Sequence, residues 1–180
     1  MSQTPTENIP VFYVCITVTT EGPPIEIAWA SLAFESYGVI CESRLIQPPA
    51  PWSSELARDP AASQAYGLAL SDLRDFGTTP SELAAHMNQA LADRELFSAA
   101  LADDARIRRI FDAAKMPPKF ALRKSDAEAL IAELARLRRL SPATMAQAKR
   151  EAEVMSLTGI RAEAKARYLA TYWAIVMQQK

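Results

Sequence analysis

Seven residues near the start, Phe12-Tyr-Val-Cys-Ile-Thr-Val18, restrict this chain more than any other stretch. They are aromatic, β-branched or otherwise apolar, and none is charged. Such a run, bounded by turn residues, reads as a buried strand. Thr19-Thr-Glu-Gly-Pro-Pro24 breaks it, and Ile25-Glu-Ile-Ala-Trp29 resumes it as a partner strand. The side-chain period of two puts Val14, Ile16 and Val18 on one face and Tyr13, Cys15 and Thr17 on the other. A strand apolar on both faces belongs at the centre of a sheet.

The elements that follow fit one mixed-sheet α/β domain. A second strand is expected over 25–34 and a third over 39–46, after the turn Glu35-Ser-Tyr-Gly38. Short turns between the three make an antiparallel meander. Gln47-Pro-Pro-Ala-Pro-Trp52 ends it, because proline cannot serve a central ladder. Helical pieces are expected over 53–65 and 71–76, then a better helix opened by Thr79-Pro-Ser-Glu82 and reaching Asp93. Glu95-Leu-Phe-Ser98 reads as a fourth strand, Asp103–Met116 as a helix stopped by Pro117-Pro118, and Lys119–Arg123 as a fifth strand. Ser125 and Glu128 have capping-box spacing for the next helix. Ser141-Pro142 opens another that ends near Gly159, and a last one runs from Ile160 to Met177. Residues 1–10 read as a flexible N-terminus and 11–180 as a single domain, long enough to bury a sizeable core.

Composition narrows the function. The net charge of −1 divides into −8 over residues 1–99 and +7 over residues 100–180. That split fits a basic surface that meets a polyanion, or two halves or two copies that meet each other. Cys15 and Cys41 make no disulfide framework and read as reduced thiols. With no signal peptide and no apolar stretch of membrane-spanning length, the expected location is cytoplasmic and the expected partners include no membrane. There is no glycine-rich phosphate loop and no zinc-type Cys/His spacing. His86, the only histidine, sits on an ordinary helix with no nucleophile motif nearby and reads as structural. Trp173, Val176 and Met177 read as core or, alternatively, a dimer face.

The order of elements, with particular residues in it, resembles the DEDDh family of 3′–5′ exonucleases, which have the ribonuclease H-like fold. The resemblance covers roughly residues 11–175. It rests on the first strand with Thr19-Thr20 and Ile25-Glu-Ile-Ala28, on Leu45-Ile-Gln-Pro48, on Phe97-Ser98 followed by Asp103 and Arg108–Ala114, and on Ile160–Leu169. The fold it implies is a ribonuclease H-like mixed sheet of about five strands, a three-strand antiparallel meander plus two more, flanked by helices. The chemistry it implies is hydrolysis by two magnesium or manganese ions held by four carboxylates, with a histidine that activates water.

This chain departs from that pattern. The family's Asp-any-Glu pair on the first strand falls on Ile16 and Val18, and its histidine and aspartate on the last helix fall on Ile160 and Lys165. The remaining aspartate matches Asp103, or Asp104 if the register slips by one. Four of five positions therefore lack the chemistry, and apolar side chains cannot replace oxygen ligands. Glu21 in the turn, Glu26 on the next strand and Glu163 on the wrong face of the last helix are not well placed to compensate. The expected catalytic and metal residues, and the expected cofactors, are therefore none. Lys165 is expected either to pair with Asp103 or Asp104 in place of the lost cations, or to extend into solvent. Arg106, Arg108, Arg109, Lys119, Arg123 and Lys124 flank the inferred cleft, and Arg106, Arg109, Arg123 and Lys124 are the candidates for binding nucleic acid.

The expected function is a catalytically degenerate exonuclease-like module that binds nucleic acid or assembles with protein. The alternative is an active metal-dependent 3′–5′ exonuclease on single-stranded DNA or RNA with an unusual metal site. Expected partners are single-stranded nucleic acid, another protein or a second copy.

Overall fold

The computed structural model describes residues 9–19, 21–33, 38–58, 66–100, 102–123, 126–156 and 159–179. Strand β1 (Val11–Thr17) lies at the middle of a five-stranded sheet whose order also takes in β2 (Pro24–Leu32), β3 (Val39–Leu45), β4 (Glu95–Ser98) and β5 (Ala121–Leu122). Read across the sheet, the order is β3-β2-β1-β4-β5. β1 pairs antiparallel with β2 and parallel with β4, so the sheet is mixed. All seven residues of β1 are buried, as its lack of charge requires.

Helices α1 (Ala50–Leu56), α2 (Leu70–Phe76) and α3 (Pro80–Ala90) follow the meander. After β4 come α4 (Ala102–Ala114), then, past β5, α5 (Ala127–Leu137), α6 (Pro142–Met155) and α7 (Ala162–Gln178). The alternation along β1 divides the core. Tyr13 and Cys15 face Leu83 and Met87 of α3 and Ile107, Ile110 and Phe111 of α4. Phe12, Val14 and Ile16 face Ala162, Ala166, Leu169 and Ala170 of α7. The alanines at every fourth position leave no bulk on that stripe, which seats α7 close against the sheet. Further along α7, Tyr172 and Val176 pack with Ile131 and Ala135 of α5 and Ala148 and Ala152 of α6. Val176 is thus core, and Trp173 packs its ring against Phe12 at 6.4 Å.

Several element ends differ from expectation for local reasons. α1 begins at Ala50, with a proline in its first turn, and ends at Leu56; of the expected span 53–65, residues 59–65 lie outside the described residues. β5 shrinks to two residues, because Phe120 turns inward to meet Phe111 edge-on at 5.4 Å. α6 stops at Met155, where the Ser156 hydroxyl donates to the Ala152 carbonyl at 2.6 Å. α5 is capped by Asp126, whose Oδ1 accepts from the Ala129 amide at 2.7 Å. The expected cap Ser125 and the candidate Lys124 lie outside the described residues, as do residues 1–8 of the expected flexible N-terminus. α3 starts at Pro80 as expected, and a capping box closes its first turn. Thr79 Oγ1 accepts from the Glu82 amide at 3.3 Å, and Glu82 accepts from the Thr79 amide at 3.2 Å.

Candidate functional site

The end of β1, the turn into β2, and the N-terminal turns of α4 and α7 meet where the resemblance places the cleft. Ile16 lies there, 4% exposed and packed with Ala162 and Ala166, and half-buried Val18 packs against the same cluster. These are the positions at which the resemblance implies carboxylates.

Acidic groups do reach this place, from elsewhere in the fold. The β1–β2 ladder puts Glu26 opposite Ile16, and Glu26 is 2% exposed. Arg161 grips both of its oxygens, Nε at 2.8 Å and Nη2 at 3.1 Å, and the Ala162 amide donates to it at 3.2 Å. Glu26 therefore caps α7 as well as pairing with Arg161, and it raises the Arg161 guanidinium above its ordinary pKa. Glu26 is on the neighbouring strand, as expected, and the ladder brings it beside Ile16 with its oxygens held by Arg161. Residues far apart in sequence become neighbours across a ladder, and the register shift between Ile16 and Thr17 is invisible to a count along the chain.

Asp103 is the second buried carboxylate, at 1% exposure. Its Oδ1 accepts from Arg106 Nη1 at 2.7 Å, and the same nitrogen donates to the Cys15 carbonyl at 3.1 Å. Burial lifts the Asp103 carboxyl above its ordinary pKa, and Arg106 pulls it partly back. Its Oδ2 has no hydrogen-bond partner among the described residues. Asp104 has a different role: its Oδ1 accepts from the Tyr13 hydroxyl at 2.5 Å. Burial, with Asp104 alongside, pushes that phenol well above its usual range. Asp103 thus meets β1 at Cys15, and Asp104 meets it at Tyr13.

Lys165 does not reach either aspartate. It is exposed, and it lines a hollow with Glu128, Lys149, Glu153 and Tyr168 on the side of α7 away from the sheet. One residue before the sheet-facing Ala166, it sits about 100° around the helix from it. The expected Lys165 pair is thus replaced by two arginine pairs. Ile160 is 53% exposed, just before the N-cap of α7. Glu163 pairs with Arg167 at 2.9 Å along the same helix.

Of the candidate nucleic-acid residues that are described, Arg123 lies apart from Arg106 and Arg109. Arg106 and Arg109 are three residues apart on α4 and both serve the cleft. Arg109 donates to Glu55 at 2.6 Å and to the Glu21 carbonyl at 3.0 Å, and lies over the Trp52 ring at 5.4 Å. Arg123 pairs with Glu95 beside β4 and β5, whose Leu96 and Leu122 are in register with Val11. That is the opposite end of β1, roughly 16 Å from Ile16 at strand rise. His86 pairs with Glu42 at 2.7 Å beside Trp29, which gives it a structural partner.

The donor set does not fit a two-metal centre. The two buried carboxylates among the described residues are each already compensated by a guanidinium, and the first-strand positions are hydrocarbon. Among the described residues no group of three or more His, Cys, Asp and Glu is placed to hold a metal ion.

No protein-family model and no curated protein matches the sequence. Solved structures do match. Exonuclease I solved with SSB-Ct superposes with a TM-score of 0.57 at 15% identity, over 95% of this chain and 41% of that one. Exonuclease I of E. coli with a 5cy-dT13 oligonucleotide gives 0.50 at 17% identity, over 71% of this chain and 30% of that one. Exonuclease X with 5′-overhanging duplex DNA gives 0.51 at 15%, over 93% of this chain and 90% of that one. The chain thus spans well under half of the exonuclease I chains and nine-tenths of the exonuclease X chain. The likeness shows that it has the ribonuclease H-like α/β fold of these exonucleases.

Proposed function

We propose that this chain is a catalytically silent module of the DEDDh exonuclease type, which binds single-stranded nucleic acid at the cleft mouth without hydrolysing it. One observation carries the reading: Ile16 and two arginine-held carboxylates stand where metal-dependent hydrolysis needs free anionic oxygen. Fold likeness to exonucleases solved with DNA supports the choice of ligand. Arg106 and Arg109, partly exposed at the mouth, are the phosphate contacts. Residues 11–180 form the module. Free thiols and the lack, among the described residues, of a helix able to cross a membrane favour a cytoplasmic setting.

A labelled oligothymidylate tests this. It stays full length in manganese while binding falls with salt, with a log–log slope of about −1.4 for two arginine contacts at roughly 0.7 each. Shortening of the strand would show the alternative, an active exonuclease with an unusual metal site. No binding at low salt would move the reading to assembly with protein.

A further inference from the structure

Glu26 and Asp103 are too deeply buried for charged groups unless a cation stands beside each. Their side chains are both 2% exposed. Glu26 stands opposite Ile16 across the ladder, and Asp103 shares Arg106 Nη1 with the Cys15 carbonyl, so the two acids flank neighbouring residues of β1. A buried carboxylate needs a counter-charge and partners for its lone pairs. A divalent ion can supply both, and so can a guanidinium fork, which presents two N–H groups to two oxygens in one plane. Arg161 does this in full at Glu26, and Arg106 with one nitrogen at Asp103.

We propose that Arg161 and Arg106 are the built-in cations at this end of β1: each neutralises the buried carboxylate beside it, Glu26 and Asp103, and so keeps a divalent ion from taking that place. The positions at which the sequence lacks metal chemistry are thus not merely emptied of it. The acids that remain are closed off by charge supplied from the protein. The proposal rests on the reading that the cleft holds no metal.

Thermal melts with and without millimolar manganese test it, on the wild type, Arg106→Ala/Arg161→Ala, and that pair combined with Glu26→Gln. The wild type should melt at one temperature in both buffers. The arginine double variant should melt roughly 5–10 °C lower, and manganese should restore about half of the loss. Adding Glu26→Gln should raise the melting temperature without metal and abolish most of the manganese response. A double variant indifferent to manganese overturns the masking alone. A wild type stabilised by manganese overturns the metal-free reading with it. If the double variant does not fold, Arg161→Gln, which keeps an N–H toward Glu26 but loses the charge, is read in the same way: a manganese shift supports masking and its absence overturns it.

Discussion

Asp103 is a carboxylate that folding makes easier to protonate. Burial raises it above its ordinary 3.8 despite Arg106. Between the unfolded value and the raised folded one, the native state binds more protons than the unfolded chain, so stability falls as pH rises through that window. A carboxylate held low by its partner would do the reverse. Asp103→Asn removes this titration. Melts across the acid range should therefore show the wild type losing stability relative to the variant as pH increases; a relative gain would mean that Arg106 outweighs burial. The spacing offered Lys165 as the cation here, with extension into solvent as the alternative, and did not offer Arg106 or Arg161 as partners of buried acids. Arg161 adjoins Ile160 in sequence, but only the N-terminal entry of α7 aims its side chain at Glu26. Lys165 looked better placed by spacing, and the orientation of α7 turned it outward.

At the scale of elements, what was legible followed from charge and period. β1 is uncharged because both its faces are covered, and Glu95–Ser98 was visible in full between turn residues. Short or polar-ended elements were less so. β5 depends on Phe120 finding Phe111, a pairing that local pattern does not contain. The seat of α7 depends on alanines, which carry little hydrophobic signal. The link between α3 and the segment after α4 is likewise tertiary. Asn88 Nδ2 donates to the Pro117 carbonyl at 2.9 Å, and its Oδ1 accepts from the Lys119 amide at 2.7 Å. Asn88 is 6% exposed, so Asn88→Ala should strand these groups and cost about 1–3 kcal/mol in a denaturant titration. A neutral result would mean that water replaces the amide.

For the whole molecule, the charge split between the halves shows up partly as internal pairing. Glu26 with Arg161, Glu55 with Arg109, and Glu95 with Arg123 each join an acid from the first half to a base from the second. The basic half is therefore less available to a polyanion than its net charge of +7 implies. Arg109 makes this testable. A phosphate arriving at the cleft must compete with Glu55, and that half-exposed pair is worth about 0.4–1 kcal/mol. Glu55→Gln should accordingly tighten oligothymidylate binding by roughly twofold to fivefold, with Arg109→Ala weakening it. Equal affinity across all three proteins would place the strand elsewhere on the surface.

The central claim is that no divalent ion belongs in this cleft. Calorimetric titration of the wild-type chain with manganese reads it directly. We expect no saturable heat at millimolar metal, whereas a saturating isotherm with two ions per chain would contradict the claim.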